Sequence, residues 1–207
     1  MKNNLYRILL ATTLMLSIQS CDKNDDNKIS IQDHDQNEMM AQMHVMMEKM
    51  MAMPMTNDPD VDFAMMMRIH HQGAIDMAKL ELAKGKDPQL KSMAQKIIDD
   101  QQQEIQELST FLQGHPAHLN VPEFSSRQMM NMEKSSRNAD LQIITGNTDH
   151  DFATLMIVHH QNATEDASFE LIYGHDQEMK TMASMMIDAQ EMEIKTLQEW
   201  LLSKRNH

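Results

Sequence analysis

The chain alternates between long segments with helical hydrophobic periodicity and short polar segments that contain glycine or proline. Residues 38–55 carry a methionine every three or four positions, and Pro54 ends this segment. Apolar side chains recur at the same spacing from residue 62 to 112, with one interruption near Gly85. Such spacing puts the apolar residues on one side of an α-helix. The pattern predicts a chain built from long amphipathic helices.

The segment 62–112 occurs twice. Residues 151–201 align with it without a gap at a constant offset of 89, and 23 of the 51 aligned positions are identical. Identity at this level indicates an internal duplication. Each copy contains a helix, a turn at a glycine and a second helix, so each copy is predicted to form an αα-hairpin.

The helix boundaries follow from capping residues. We expect Asp60 or Asp62 to cap the first helix after Pro59, and Asp87-Pro88 to begin the second. The second hairpin is predicted at about 149–173 and 176–203, a loop at 115–125 and a further methionine-containing helix at 126–144. Two hairpins bury their apolar stripes most simply as a four-helix bundle. The predicted domain therefore spans 38–203, with repeat units at about 38–114 and 126–203.

The N-terminus is predicted to direct export. Residues 1–20 combine Lys2 and Arg7 with a short apolar stretch, which is typical of a signal peptide. A small residue before Cys21 resembles the lipoprotein box of Gram-negative bacteria. We therefore expect lipidation of Cys21, a membrane anchor, a flexible tether over 21–37, and a location in the cell envelope, facing the periplasm or the cell surface. The alternative is a plain secretory signal with an incidental cysteine.

Composition narrows the function. The net charge of −13 argues against nucleic acid as a partner, because the phosphate backbone is recognised by Lys and Arg. A single cysteine excludes an intrachain disulfide and a cysteine-based zinc site. Methionine is the outlying residue type, with 25 copies. Thioethers suit Cu(I), and by the same softness Ag(I), although a methionine stripe also serves as a plain hydrophobic core.

Polar side chains interrupt the apolar stripes at one level of each hairpin. His70 and His71 lie on the first helix, while Gln101 and Glu104 lie on the second. Antiparallel pairing around Gly85 brings these positions to the same height, and the second copy repeats the arrangement. Metal ligation is one explanation; a structural hydrogen bond between His70 and Glu104 is the other.

The candidate metal ligands form two groups. The group on the hairpins comprises Met66, Met67, His70, His71, Gln101, Glu104, Met156, His159, His160, Gln190 and Glu193. The group on the methionine helix comprises Met39, Met43, His44, Met46, Met47 and Met50.

The spacing of these residues resembles the domain of unknown function 305 family. The resemblance rests on Asp62, Met66 or Met67, His70-His71, Ala74, Ala78, Ile98, Gln101 and Glu104-Ile105, and on their counterparts in the second copy. It implies a ferritin-like four-helix bundle, and candidate ligands at the four histidines with nearby methionines. The CopM-like members of the family are linked to periplasmic copper and silver binding. The second copy departs from the pattern at Thr154, Leu155, Asn162 and Asp166, so its site is not expected to be fully equivalent.

Three functions remain open from the sequence. The first is an extracytoplasmic copper- and silver-binding protein that is not an enzyme. The second is a structural or interaction bundle without metal, whose protein partner the sequence does not identify. The third is a ferritin-like di-metal oxidase, which usually needs Glu-x-x-His on facing helices. Met67 and Met156 stand where that glutamate would be, so the oxidase is the least favoured.

Overall fold

The computed structural model describes residues 31–204, and every regular element in that range is helical. A 3₁₀ turn at His34–Gln36 precedes the α-helices. These are α1 (Glu38–Met51), α2 (Pro59–Lys84), α3 (Pro88–Gly114), α4 (Pro122–Asp140), α5 (Thr148–Tyr173) and α6 (Gln177–Lys204). The predicted all-α class is therefore confirmed.

The helix starts follow the capping rules, with one correction. Asp87 caps α3 by accepting from the backbone N–H groups of Gln89 and Leu90, and Pro88 takes the first helical position. The cap of α2 is Asp58, which accepts from Val61 N, and not Asp60 or Asp62 as the sequence predicts. Pro59 therefore lies inside the helix, where its missing N–H costs nothing. Asp60 and Asp62 bind other segments instead. In the same way, Pro122 starts α4 four residues before the predicted 126.

The two hairpins pack through their first helices. α2 and α5 form the centre of the bundle, with α3 against α2 and α6 against α5. α1 covers α2 and α4 covers α5, while α1 also contacts α4 and α5. The duplicated four-helix bundle thus gains a third helical layer from the two methionine-containing helices.

The methionines of α1 belong to the hydrophobic core. Its six buried residues are all methionines, namely Met39, Met40, Met43, Met46, Met47 and Met50. Gly73 of α2 allows the close approach, since a Cβ at this position would lie 2.7 Å from Met46 Cγ. The packing role that the sequence left open for this helix is therefore real, and it does not prevent the thioethers from also binding an ion.

The last part of the predicted tether is attached to the bundle. Gln32 N donates to Ile144 O at 2.7 Å, and Asn37 Nδ2 donates to Asp151 Oδ2 at 2.8 Å. The predicted signal peptide 1–20 and the lipidation site Cys21 lie outside the described residues. Within residues 31–204, no helix has the length and apolarity needed to cross a membrane.

Candidate metal centre

The centre of the molecule is a reciprocal pair of histidines. His70 Nε2 lies 3.1 Å from the carbonyl oxygen of His159, and His159 Nε2 lies 3.0 Å from that of His70. The two rings face each other with centroids 3.6 Å apart, and both side chains are fully buried. This contact lies where α2 crosses α5, so each repeat contributes one histidine to it.

The hydrogen bonds determine which nitrogen carries the proton. A carbonyl oxygen only accepts, so Nε2 of each histidine must be the N–H, and each Nδ1 keeps its lone pair. Burial is the main cause that holds the pKa of His70 and of His159 well below its usual range, and the neighbouring imidazoles add to it. Neither Nδ1 has a hydrogen-bond partner within the part of the chain that the structure describes. The centre therefore presents two neutral imidazole nitrogens that are available as ligands.

The second histidine of each pair contacts a glutamate on the neighbouring helix. His71 Nε2 lies 2.7 Å from Glu104 Oε2, and His160 Nε2 lies 3.0 Å from Glu193 Oε2. The structural alternative drawn from the sequence paired Glu104 with His70, and this pairing is wrong. His71 faces α3 because it is one position, or 100° of helix rotation, away from His70. Glu104 and Glu193 thus orient imidazoles, which is a role that carboxylates often have around metal-binding histidines.

The predicted polar level is confirmed across both hairpins. Gln101 and Gln190, three residues before Glu104 and Glu193, are also buried, and neither side-chain oxygen has a partner among residues 31–204. Burial alone would raise the pKa of Glu193, but the hydrogen bond from His160 and the charge of Lys96 bring it below the usual range. We refer to these four histidines, two glutamines and two glutamates as the polar belt.

Thioethers surround the polar belt. Met66 and Met67 are fully buried one turn before His70, and Met156 occupies the equivalent place before His159. The ion pair between Glu38 and Lys84 and the contact of Met46 with Gly73 fix the antiparallel register of α1 on α2. That register brings the C-terminal part of α1, with Met47 and Met50, to the level of the belt.

His44 does not join this group. Its ring is exposed, and its Nε2 lies 2.9 Å from Asp140 Oδ1 at the end of α4. At about 100° per residue, His44 lies at the exposed edge of the buried methionine face, and its ring contacts Asp140 of α4 and not the methionines.

The donor set of the belt is unusual. Within residues 31–204, no three His, Cys, Asp or Glu side chains converge in a way that could hold a metal ion. The belt and the buried methionines one turn away on the same helices instead offer neutral imidazole nitrogens and thioether sulfurs. This combination suits Cu(I) and Ag(I) by softness.

Sequence reasoning missed a second duplicated set of buried acids. Glu81 lies against Asp149, and Glu170 lies against Asp60, so each pair joins the two repeats. Burial, together with the adjacent aspartate, raises the pKa of Glu81 to about 8 and that of Glu170 to about 10. The sequence signal was available, because Glu81 and Glu170 occupy equivalent positions on apolar stripes.

The fold and the polar belt define the class of protein, which is a duplicated helical bundle with paired histidines in a methionine-rich core. The family model described as Domain of unknown function (DUF305) matches residues 13–112 and 60–201. The chain therefore belongs to the domain of unknown function 305 family, as the sequence predicts.

Solved structures of CopM are similar to this chain. CopM in the Cu(I)-bound form is 32% identical, with a TM-score of 0.55, over 71% of this chain and 98% of that chain. CopM in an Ag-bound form, prepared by soaking, is 33% identical with a TM-score of 0.53, over 70% and 95%. CopM in the Cu(II)-bound form is also 33% identical with a TM-score of 0.53, over 70% and 97%. No curated protein sequence matches the chain.

Proposed function

We propose that the protein binds Cu(I) and Ag(I) outside the cytoplasm and acts in metal homeostasis or tolerance, without catalysing a reaction. The observation that carries this proposal is the His70–His159 pair. Two buried imidazoles are kept neutral, neither Nδ1 has a hydrogen-bond partner among residues 31–204, and buried methionines lie one turn away on the same helices.

The relatives support the choice of ion. The CopM structures contain Cu(I), Ag and Cu(II), and they share about a third of their residues with this chain over most of its length. The export signal and the Cys21 lipid anchor would put the bundle in contact with metal entering the cell envelope.

The test is a titration of the full-length protein with Ag(I), and with Cu(I) under reducing conditions in competition with a chromogenic chelator. Replacing His70 and His159 together with glutamine keeps an N–H donor for each carbonyl but removes both ligand nitrogens. We expect affinity to fall by at least about tenfold, which is the lower end of the losses caused by changes near metal ligands.

A matched control is His175→Gln, since the His175 side chain is exposed. It should bind like the wild type. Replacing the nine methionines of residues 39–55 with leucine tests the thioethers while keeping an apolar core. A wild-type protein that binds neither Ag(I) nor Cu(I) would refute the proposal. If only the leucine variant loses metal binding, the site lies on α1 and not at the histidines.

A further inference from the structure

A groove lies beside each of the two methionine-containing helices, once in each repeat. Eight residues line a cavity of about 150 Å³ between α4 and α5, and each of them lies 89 positions after a residue that lines a cavity of about 390 Å³ between α1 and α2. The duplication therefore produced two equivalent grooves. We call the cavity at α1 the first groove and the cavity at α4 the second groove.

An ion pair bridges the second groove. Lys134 of α4 and Glu165 of α5 both line this groove, and their side chains pair with each other. The equivalent residues of the first groove are Val45 and Asp76, which cannot form such a pair. The first groove therefore lacks the bridge between its two helices, and it is the larger of the two.

The two grooves also differ in polarity. Six of the twelve residues that line the first groove are apolar, namely Val45, Met46, Met53, Met65, Ile69 and Ile105. In the second groove, Val158 is the one apolar residue among the eight. Small-molecule sites in proteins have volumes of about 300–1,000 Å³ and largely apolar linings. The first groove has the size and the lining of such a site, and the second groove has neither.

Charge decides which ligand fits the first groove. Lys49 of α1 and Arg68 of α2 both line it, and among residues 31–204 neither forms an ion pair or a hydrogen bond. Their counterparts in the second repeat are Asn138 and Ile157, so both cations are particular to the first repeat. The one acid in the lining is Asp76, which already accepts a hydrogen bond from the glutamine one turn before it. Two cations and one acid give the lining a charge of +1 in a chain whose net charge is −13.

We propose that the first groove binds an amphipathic monocarboxylate of the fatty-acid class, with the carboxylate at Arg68 and Lys49 and the aliphatic chain against the apolar lining. Arginine binds a carboxylate through two parallel N–H donors, and burial of the chain removes apolar surface from water. A single negative charge on the ligand matches the lining charge of +1. The second groove does not bind this ligand, because it lacks both cations and the Lys134–Glu165 pair bridges it.

The test is a titration of the full-length protein with octanoate, followed by NMR of ¹³C-labelled methionine methyl groups. Met53 and Met65 line the first groove and no methionine lines the second, so their signals, assigned with Met53→Leu and Met65→Leu, report where the ligand binds. We expect octanoate to shift these two signals in a saturable manner. Acetate lacks the chain and octyltrimethylammonium has the opposite charge, so both should bind more weakly than octanoate.

The second repeat supplies the variants. Lys49→Asn and Arg68→Ile introduce its residues at the two cations, and each should weaken octanoate binding by about three- to tenfold through loss of a charged hydrogen-bond donor. Val45→Lys introduces the counterpart of Lys134 opposite Asp76, at a position that is 44% exposed and tolerates the change. It should abolish octanoate binding by bridging the groove, although it adds a positive charge.

The matched control is Lys79→Ser, which introduces the residue of the second repeat at an exposed lysine of α2 outside the groove and should bind octanoate like the wild type. Unshifted Met53 and Met65 signals at saturating octanoate would overturn the proposal. Equal binding of octyltrimethylammonium, or wild-type affinity in Arg68→Ile, would overturn it as well, because the cations of the groove would then not select the ligand.

Discussion

At the scale of single residues, the buried carboxyl pairs show how the two repeats share a proton. Asp149 Oδ1 accepts from Lys86 N and Asp87 N, each at 2.8 Å, so this oxygen acts as an acceptor. Glu81, buried against it, can then donate only in its protonated form. This geometry explains why the pKa of Glu81 is raised, first by burial and then by Asp149.

Glu81→Gln tests this shared proton. Because the pKa of Glu81 is about 8 in the folded protein and near 4.5 when exposed, the folded state binds more protons than the unfolded state between these values. Stability from this residue is therefore fully present below about pH 4.5 and declines as the pH rises through 8. Glutamine keeps a donor toward Asp149 at every pH, so the variant should have a higher Tm than the wild type at pH 8 and a smaller difference at pH 5. Thermal unfolding across pH 5–9 measures this.

The exposed residue Glu107 provides the control, since Glu107→Gln should leave the pH profile of the wild type unchanged. A Glu81→Gln variant with a Tm below that of the wild type at pH 8 would contradict the shared-proton explanation.

The residue scale also shows how far sequence could go with the site. Periodicity and the hairpin turn placed the histidines at the height of Gln101 and Glu104, which the structure confirms. They could not decide between His70 and His71 as the partner of Glu104, because adjacent residues differ by 100° and hairpin register alone does not fix that rotation. The reciprocal His70–His159 contact could not be predicted from the sequence, because it depends on how the two hairpins pack against each other.

At the scale of elements, the attachment of α1 depends on one close approach. A Cβ on Gly73 would meet the Met46 side chain at its Cγ and at its Cβ, 2.7 and 2.9 Å away. Met46 Cβ is fixed by the backbone of α1, so rotating the side chain cannot relieve the clash. The sequence left both a metal role and a core role open for this helix, and the three-dimensional packing shows that its methionines are part of the core.

Gly73→Ala is expected to destabilise the fold by up to about 2 kcal/mol, because overpacking costs about 1–3 kcal/mol and alanine in a helix interior offsets roughly 1 kcal/mol of it. The decrease should be visible as a lower midpoint of urea unfolding. Gly114→Ala is the matched control, since nothing lies within 4 Å of a Cβ built there. A Gly73→Ala protein as stable as the wild type would mean that α1 can shift freely on α2.

At the scale of the whole molecule, an aspartate at the start of each hairpin binds the turn of the other hairpin. Asp60 at the start of α2 accepts from His175 N and Asp176 N in the turn of the second hairpin, both at 2.9 Å. Asp149 at the start of α5 does the same for the turn of the first hairpin. The sequence predicted the hairpins and their duplication from local spacing. It could not predict these reciprocal contacts, because they join residues more than 60 positions apart.

These reciprocal contacts between each helix start and the other hairpin's turn predict that the two hairpins unfold together. Asp60→Ala leaves the half-buried N–H groups of His175 and Asp176 without their acceptor, and a donor left unsatisfied away from water costs about 1–3 kcal/mol. The midpoint of urea unfolding should fall accordingly, while the transition stays single and keeps its slope, because the whole surface of the bundle is still exposed in one step. Asp188→Ala is the control, since Asp188 is exposed and should leave the midpoint unchanged. Two separate transitions in Asp60→Ala would show instead that each hairpin is stable alone and that the shared turns contribute nothing to cooperativity.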